Sequence, residues 1–276
     1  MTKVMVTGGS GLLGGALITR LVGDGNEVIA LARSDEAAAK VRELGATPAR
    51  GDILDPAALR DAMQGARYVY NVAGINTMCP RDRDQMLHVN VEGAAIVARA
   101  AIDAGVERLI HTSSAAALGE AHGTVGHEDS PHRGSYISVY EESKHRSEAA
   151  VMDAAAGSSL EVVHVNPASV QGPGRATGTG KLMIAYLDGR LKYFVDTTIS
   201  IVDIEDTITG HVLAAEKGEH GRRYVLCGAA LPVADAFAVA SEVAGVTSRP
   251  RVLPAPIAIA AATVVEAGAA IARKDA

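Results

Sequence analysis

The chain has 276 residues and a formal net charge of -6 at pH 7. An acidic chain lacks the basic face that nucleic-acid binding requires, so nucleic acid is excluded as an expected partner. Apolar residues make up 48% of the sequence and charged residues 21%, which predicts a sizeable core and excludes bulk disorder.

Short β-branched segments alternate along the chain with longer segments of helical spacing. The strand-like segments cover residues 4–6, 28–31, 68–72, 109–111, 162–165 and 224–226. The helix-like segments cover residues 11–22, 37–44, 56–63, 89–104 and 139–155. This order is typical of βαβ units, and it predicts an α/β fold with a parallel sheet covered by helices on both faces.

The alternation weakens after Pro167, where a glycine-rich segment follows. We therefore predict a main α/β domain formed by residues 1–168 and 194–228. A small C-terminal substrate-binding lobe is expected from residues 169–193 and 229–276.

The last long apolar segment, residues 252–272, is mostly Ala, Val and Ile but includes Glu266. A central glutamate disfavours a membrane span, so we expect an amphipathic helix packed on the protein and no membrane partner. The first strand runs into a glycine loop rather than a signal-peptide cleavage site, which favours a cytoplasmic protein.

Cys79 and Cys227 lack CxxC spacing, and both are expected to be buried thiols.

The segment TGGSGLLG, residues 7–14, follows the first strand and begins the first helix. Glycine permits a tight turn and a close approach of the backbone to a pyrophosphate, and the helix N-terminus presents unpaired N–H groups to the anion. A strand–turn–helix context is what a dinucleotide-binding loop requires. The predicted pyrophosphate site consists of Gly8, Gly9, Ser10, Gly11, Leu12, Leu13 and Gly14.

The residues after the second strand bear on the choice of cofactor. Ala32 stands where an acidic residue would bind the adenosine ribose, and Arg33 follows it. A guanidinium attracts the 2′-phosphate of NADP, which a carboxylate would repel, so NADP is predicted over NAD. Lys40 lies seven residues on and is expected to reach the same phosphate. Asp52 is expected to border the adenine pocket, unless Asp52 or Asp55 simply caps the next helix.

Tyr140 and Lys144 lie in the segment YEESK, one helical turn apart on one face. An ammonium beside a phenol lowers the phenol's pKa from ~10, as a general acid for ketone reduction requires. Ser114 follows the fourth of the predicted strands, and we expect its hydroxyl to stabilise a developing alkoxide at the carboxyl edge of the sheet. Asn90 is expected either to bridge water or the lysine, or to cap a helix.

Seven motifs occur in an order found in one family, namely TGGSGLLG, Asp52, NVAG, Asn90, TSSAAALG, YEESK and NPASVQGPG. As a set they resemble the extended short-chain dehydrogenase/reductase family, whose members include the NAD-dependent epimerases and dehydratases. The resemblance runs from the first strand to the strand at residues 224–226, and it implies a doubly wound parallel-sheet Rossmann fold. Within it, ALARSDEAAAK resembles the dihydroflavonol-reductase-like branch, in which the arginine and the lysine bind NADP.

The resemblance also implies roles for individual residues. Ser114, Tyr140 and Lys144 would form the catalytic set together with Asn90, with Tyr140 as acid/base and Ser114 as the anchor of the substrate oxygen. The implied substrate contacts are Ser114 and Asn166. Beyond the glycine loop, the predicted cofactor contacts are Arg33, Lys40, Asp52, Ile53, Val72, Ala73, Gly74, Tyr140, Lys144, Pro167 and Ser169. Members of the family commonly form homodimers through a four-helix bundle, here built from residues 89–104 and 139–155.

The expected activity is hydride transfer between NADP(H) and a carbonyl or secondary alcohol of a small organic substrate. A nucleotide-sugar epimerase or dehydratase stays an alternative, although Ile199 stands where those enzymes usually carry a basic residue for a diphosphate. A non-catalytic NADP-binding sensor or scaffold is disfavoured because such proteins generally lose the tyrosine or the lysine. His122, His127 and His132 stand five residues apart, which suits no single helix face, so no metal site is predicted.

Overall fold

The computed structural model of the chain describes residues 1–78, 80, 82–248 and 250–274, and it describes side chains as far as residue 264. The chain divides into two compact units, one formed by Met1–Gly172 with Val202–Gly228 and the other by Pro173–Ile201 with Ala229–Ala276. The assignment of cofactor binding to one unit and substrate binding to the other stays a prediction.

The first unit is built around a seven-stranded sheet whose neighbouring strands are all parallel. The strands are β1 (Lys3–Thr7), β2 (Glu27–Ala32), β3 (Thr47–Arg50), β4 (Tyr68–Asn71), β5 (Arg108–Thr112), β6 (Glu161–Pro167) and β10 (Arg223–Leu226). Their spatial order is β3-β2-β1-β4-β5-β6-β10, so the strand order reverses at β1 and β4. Ligands of open α/β sheets bind at such a switch point. The predicted doubly wound Rossmann fold is confirmed.

Helices cover both faces of this sheet. One face is packed by α1 (Leu12–Gly23), α2 (Asp35–Glu43) and α8 (Ile204–Lys217), and the other by α3 (Pro56–Met63), α5 (Gly93–Asp103) and α6 (Val139–Ala155). A short helix α4 (Arg83–Leu87) continues through a π-helical turn, His88–Glu92, into α5. A single 3₁₀ turn, Ala115–Leu118, follows β5, and the short strand β7 (Ser169–Gln171) follows β6.

Alternation along each strand gives the sheet two cores. On β1, Met5 lies in the core beneath α3, α5 and α6, whereas Val4 and Val6 lie in the core beneath α1 and α8. On β5, Leu109 and Ile110 divide in the same way. Successive side chains of a strand point to opposite faces, so strands covered on both sides are apolar along their whole length.

The second unit contains α7 (Thr179–Leu187), β8 (Tyr193–Phe194), the first part of β9 (Thr198–Asp203), β11 (Ala229–Pro232), α9 (Val233–Ala244), β12 (Arg251–Val252) and α10 (Ala255–Lys274). β9 and β11 pair antiparallel, with Ile199 opposite Leu231. The core of this unit is small, and in it the rings of Tyr186 and Phe237 stack with their centroids 4.0 Å apart.

Three expectations differ from the structure. β3 is absent from the predicted strands because its sequence includes Pro48, which a strand tolerates at the edge of a sheet, where β3 lies. The apolar C-terminal segment does form a helix, α10, but Ile257 and Ile259 are 56% and 65% exposed, so its described part is not packed on the protein as expected. Cys227 is exposed rather than buried, and Cys79 lies outside the described residues.

None of the helices within the described residues combines the length and the apolar character that crossing a membrane requires.

One buried histidine links α8 to the sheet. His211 is 0% exposed, and its ring lies between the hydroxyl of Thr112, 2.9 Å away, and the carbonyl of Thr207, 2.8 Å away. Burial lowers the pKa of His211 to about 4, so the ring is neutral at physiological pH.

This burial predicts a loss of stability in acid. The unfolded chain takes up a proton on His211 near pH 6.5, while the folded protein does so only near pH 4, so the contribution is full above pH 6.5 and is lost as the pH falls. Between pH 7 and pH 5 the wild-type protein should lose about 2 kcal/mol of unfolding free energy that a His211→Gln variant does not lose. Urea unfolding of both proteins across this range measures the difference. Parallel pH curves would contradict the assignment of a neutral buried ring.

Candidate active site

The predicted site residues gather along one edge of the parallel sheet, because each follows or ends a strand at its carboxyl end. They are Gly8 after β1, Arg33 after β2, Asp52 after β3, Val72 after β4, Ser114 after β5 and Pro167 at the end of β6. We call this the carboxyl edge. Since these six strands are neighbours in one sheet, the edge brings together residues that are far apart in sequence.

Gly8 and Gly14 occupy positions that no larger residue fits. Gly8 has a φ of 72°, and a Cβ there would lie 2.8 Å from the backbone nitrogen of Ala73. A Cβ at Gly14 would lie 2.3 Å from the carbonyl oxygen of Gly8. The turn after β1 therefore packs backbone against backbone on the segment after β4 and on α1, as a pyrophosphate-binding turn requires.

Thr7 holds the two segments together. Its hydroxyl donates a hydrogen bond to Oδ1 of Asn71 at 2.7 Å and accepts one from each backbone N–H of Val72 and Ala73, both at 3.1 Å. Thr7 is 0% exposed, so these bonds are shielded from water. The end of β1 and the segment after β4 therefore form one rigid support beneath the glycine loop.

The N-terminus of α1 faces this loop. Gly11 is its N-cap residue, and the first turn of the helix, all of it described, carries no acidic side chain. A helix N-terminus presents unpaired N–H groups and the positive end of the helix dipole, which favour an anion. The glycine cradle and this N-terminus together fit the pyrophosphate of a dinucleotide.

Arg33 and Lys40 lie beside the loop but differ in their surroundings. Arg33 is 83% exposed on its side chain, and its Nη1 lies 3.8 Å from Oδ2 of Asp52. The Nζ of Lys40 donates a hydrogen bond at 2.6 Å to the backbone carbonyl of Ser10 within the glycine loop. The lysine thus reaches the loop from α2, and both cations lie at the surface, while a contact of either with a 2′-phosphate stays a prediction.

The residues after β3 divide their roles. Asp55 caps α3 by accepting hydrogen bonds from the backbone of Ala57 and Ala58, so the capping alternative holds for Asp55. Oδ1 of Asp52 accepts from the backbone of Leu54 at 3.0 Å, which leaves its second oxygen toward Arg33. The side chain of Ile53 is buried in the core, and a cofactor contact by this residue stays a prediction.

Tyr140 and Lys144 are both buried on α6, each 6% exposed. The Nζ of Lys144 donates a hydrogen bond to the carbonyl of Thr112 at 2.9 Å. A Cβ on Gly74 would lie 3.5 Å from this Nζ, so Gly74 lies beside the amine and places no side chain against it. Burial lowers the pKa of Lys144 to about 8, and the neighbouring charge of Glu148 opposes that shift.

Asn90 lies inside the π-helical turn and does not cap a helix. Its Oδ1 accepts from the backbone of Ile75 at 2.7 Å, while its Nδ2 donates to the carbonyl of Ile75 at 3.0 Å and to Oγ of Ser143 at 2.9 Å. Asn90 therefore binds the segment after β4 to α6 next to Lys144. A direct part in the reaction stays a prediction for this residue.

Ser114 caps the 3₁₀ turn after β5, where its Oγ accepts a hydrogen bond from the backbone of Ala116 at 3.2 Å. This bond uses a lone pair of the hydroxyl and does not use its proton, while the predicted contact with a substrate oxygen stays a prediction. The neighbouring Ser113 is 4% exposed, and its Oγ has no hydrogen-bond partner among the described residues.

Asn166, predicted to contact substrate, is 0% exposed on β6. Its Nδ2 donates to the carbonyl of Ser114 at 3.0 Å and to Oε1 of Glu148 at 2.7 Å. The amide of Asn166 thus fixes the backbone of Ser114 by a hydrogen bond. A contact between Asn166 and substrate stays a prediction. Pro167 ends β6 at the carboxyl edge, and Ser169 begins β7, where its Oγ accepts from Nε2 of Gln171 at 3.0 Å.

A buried polar row beneath the edge was not predicted. Thr7, Asn71 and His111 lie in register on β1, β4 and β5. Nδ2 of Asn71 donates to Nδ1 of His111 at 3.2 Å, which leaves Nε2 to donate to Oγ of Ser147 at 3.0 Å, and that hydroxyl donates to the carbonyl of Lys144 at 2.8 Å. Burial lowers the pKa of His111 well below its ordinary value, which suits a neutral ring that both accepts and donates. Polar residues at the last or next-to-last positions of adjacent apolar strands are the signal that could have predicted this row.

Glu148 was also missed. Glu148 lies one helical turn after Lys144 and is 3% exposed. The four-residue spacing of lysine and glutamate in the sequence is the signal that could have predicted this neighbour. No group of three or more His, Cys, Asp or Glu side chains in the described part of the chain has an arrangement that would hold a metal ion.

The carboxyl edge therefore offers a glycine cradle and helix N-terminus for a dinucleotide, an ammonium and a phenol on one helix face, and a serine hydroxyl on the adjoining turn. Such a set can bind a nicotinamide cofactor and exchange a proton with a substrate oxygen. The role of each individual residue stays a prediction.

A model of the NAD dependent epimerase/dehydratase family matches residues 4–227 of the chain. The similar curated proteins include sterol demethylase protein B of Methylococcus capsulatus, which is 32% identical over 262 residues, or 91% of this chain and 77% of that protein.

Two further relatives are reductases by name. The 4-hydroxy-2-methyl-3-oxo-4-farnesyl-3,4-dihydroquinoline-1-oxide ketoreductase of Stigmatella aurantiaca is 30% identical over 268 residues, covering 94% of this chain and 78% of the relative. A candidate dihydroflavonol 4-reductase of a Synechocystis species is 29% identical over 258 residues, covering 90% and 74% of the two chains.

The buried lysine predicts a pH effect of the same sign as that of His211, but in the alkaline range. Folded Lys144 loses its proton near pH 8, whereas the unfolded chain keeps it to about pH 10.5, so the folded state gains stability relative to the unfolded state as the pH rises between these values. From pH 8 to pH 9.5 the wild-type protein should gain about 2 kcal/mol relative to a Lys144→Met variant. Chemical denaturation of both proteins measures this, and a constant difference across the range would rule out the lowered pKa.

Proposed function

Because the chain belongs to the NAD-dependent epimerase/dehydratase family, the extended short-chain dehydrogenase/reductases that its motifs resemble, we propose that it is an NADP(H)-dependent oxidoreductase of small carbonyl compounds. The family match and the reductases among its relatives make it an NAD(P)-dependent enzyme. The observation that supports carbonyl reduction is the pairing of Tyr140 with a buried Lys144 at the edge that carries the glycine cradle.

In this proposal a bound nicotinamide cofactor supplies hydride to the carbonyl carbon, and the chain supplies the proton. Tyr140 donates its phenol proton to the substrate oxygen, and the charge of Lys144 stabilises the phenolate that remains. The hydroxyl of Ser114 donates a hydrogen bond to the same oxygen while negative charge develops there. In the oxidising direction, Tyr140 accepts the proton of a secondary alcohol.

NADP is the proposed cofactor because two cations lie near the glycine loop and Ala32 replaces an acidic residue. Arg33 is exposed, and its one ion pair among the described residues is a 3.8 Å contact with Asp52, so the guanidinium is accessible to a 2′-phosphate. Lys40 already reaches the loop through Ser10 and would supply a second positive charge. A homodimer through a four-helix bundle of α5 and α6 and a cytoplasmic location stay predictions.

Removing the phenol hydroxyl tests the chemistry. Tyr140→Phe should lower kcat at least a hundredfold, since the proton donor is lost, and should leave NADPH affinity nearly unchanged. Absorbance of NADPH against a panel of aldehydes, ketones and steroids measures turnover, and fluorescence titration measures affinity.

Full activity in the Phe variant would exclude Tyr140 as the acid. Stoichiometric consumption of NADPH by the wild-type enzyme distinguishes reduction from epimerisation or dehydration of a nucleotide sugar, which would give no net turnover.

Removing the guanidinium tests the cofactor preference. Arg33→Ala should weaken NADPH binding by ~1–3 kcal/mol, because a charge-assisted contact with the 2′-phosphate is lost, and should leave NADH affinity nearly unchanged. Arg42→Ala, an exposed arginine on the same helix as Lys40, is the matched control. An equal loss for both cofactors would contradict phosphate recognition by Arg33.

A further inference from the structure

Glu148 is a buried carboxylate with no part in the reaction proposed above. It is 3% exposed, and its two oxygens have separate partners. Oε1 accepts a hydrogen bond from Nδ2 of Asn166 at 2.7 Å, and Oε2 accepts one from Nε of Arg223 at 2.6 Å. Burial of a carboxylate is costly unless its charge is paired and its oxygens accept hydrogen bonds. Asn166 and Arg223 meet both requirements for Glu148.

The first connection leads to Ser114. The same Nδ2 of Asn166 that donates to Glu148 also donates to the carbonyl oxygen of Ser114 at 3.0 Å. The carboxylate on α6 therefore fixes an amide on β6, and that amide fixes the backbone of the serine on the turn after β5. Because Asn166 is 0% exposed, water does not compete for these bonds.

The second connection leads to Lys144. Glu148 follows it by four residues on α6, so both side chains share one face of the helix. Burial disfavours the charged form of Lys144, and the negative charge of Glu148 favours it, as the direction of its effect on the pKa of Lys144 shows. Arg223, which is 26% exposed on its side chain, balances part of that negative charge.

We propose that Glu148 is a positioning residue for this site: its carboxylate keeps Lys144 in the ammonium form and, through Asn166, holds the backbone of Ser114. The proposal rests on the proposed function, because only proton transfer at Tyr140 makes the charge of Lys144 matter to turnover.

The surroundings indicate which groups change charge in the working pH range. The ionisable groups near Lys144 and Glu148 come from several elements. They are Tyr140 and His145 on α6, His111 on β5, His164 on β6, Arg222 and Arg223 at the start of β10, and Glu128 and Asp129 in the loop before α6. Glu128, Asp129, His145, Glu148, His164 and both arginines line a cavity of about 310 Å³.

Most of these neighbours are accounted for. Arg222 pairs with Asp129 at 3.0 Å, and Glu128 accepts a hydrogen bond from the backbone of Val225 at 2.9 Å. Burial lowers the pKa of His164 to about 4, so its ring is neutral above that pH. An alkaline fall in kcat between pH 7 and pH 10 would therefore report the coupled titration of Lys144 and Tyr140. A probe of the lysine alone is needed to separate the titration of Lys144 from that of Tyr140.

Lysine side-chain NMR supplies that probe. The sequence has seven lysines, and carbon-13 labelling at Cε gives one signal for each, with Lys144 assigned by its loss in Lys144→Met. In Glu148→Gln the titration midpoint of Lys144 should fall by about one pH unit, since an opposing charge at short range is removed. The alkaline limb of kcat should move to lower pH by the same amount.

Four further variants separate charge from structure. Glu148→Asp keeps the carboxylate and should restore the midpoint, and Glu142→Gln removes an acid at the surface of the same helix and should leave it unchanged. Arg223→Gln should raise the midpoint, because the positive charge that opposes the carboxylate of Glu148 is removed, and it keeps the test available if Glu148→Gln does not fold.

Asn166→Ala removes the bond to Ser114. It should lower kcat about tenfold, with the alkaline limb of kcat unmoved and the KM for NADPH unchanged.

An unchanged Lys144 midpoint in Glu148→Gln, or a fall in Arg223→Gln, would overturn the charge role. Wild-type kcat in Asn166→Ala would overturn the link to Ser114. The NMR titration needs no substrate, so a wild-type protein that turns over no carbonyl compound would refute the proposed function and would leave the lysine titration interpretable by itself.

Discussion

Lys144 brings a positive charge to a depth where charges are costly, and much of the polar structure around it compensates for that cost. Its ammonium group donates to the carbonyl of Thr112, while its own carbonyl accepts from Ser147. Glu148 supplies an opposite charge one turn away. A buried lysine without such partners would lose its proton, and with it the charge that a neighbouring phenolate needs.

The framework beneath this lysine is a set of hydrogen bonds that cross the sheet. Thr7, Asn71 and His111 lie on three neighbouring strands in register, and the last of them reaches α6 through Ser147. Each bond is buried, so none exchanges readily with water, and the strands cannot shift relative to one another without breaking several at once. Hydride transfer tolerates little misplacement of its partners, and such a framework meets that need.

The groups that we propose to select the cofactor have the opposite character. Arg33 and Lys40 lie at the surface, and their bonds to protein partners are few and partly exposed. Charges in water contribute modestly until a phosphate arrives to pair with them, and salt screens them. In the proposed function, buried residues hold the geometry of the reaction, and exposed residues distinguish one dinucleotide from another.

The sequence by itself determined the parallel sheet, the glycine loop and the placement of Tyr140 with Lys144, because these depend on local periodicity and on short motifs. Strand β3 was not predicted because Pro48 is unusual in a strand. The packing of α10 was predicted wrongly because apolar composition does not say what covers a helix, and Ile257 and Ile259 in its described part are exposed. Only the tertiary structure decided that the amide of Asn90 and the Nδ2 of Asn166 hydrogen-bond to the protein and that His111 and Glu148 lie near Lys144. The contacts of these residues join positions up to 75 apart in the chain, and their pairing is set by strand order and helix packing, which local sequence pattern does not encode.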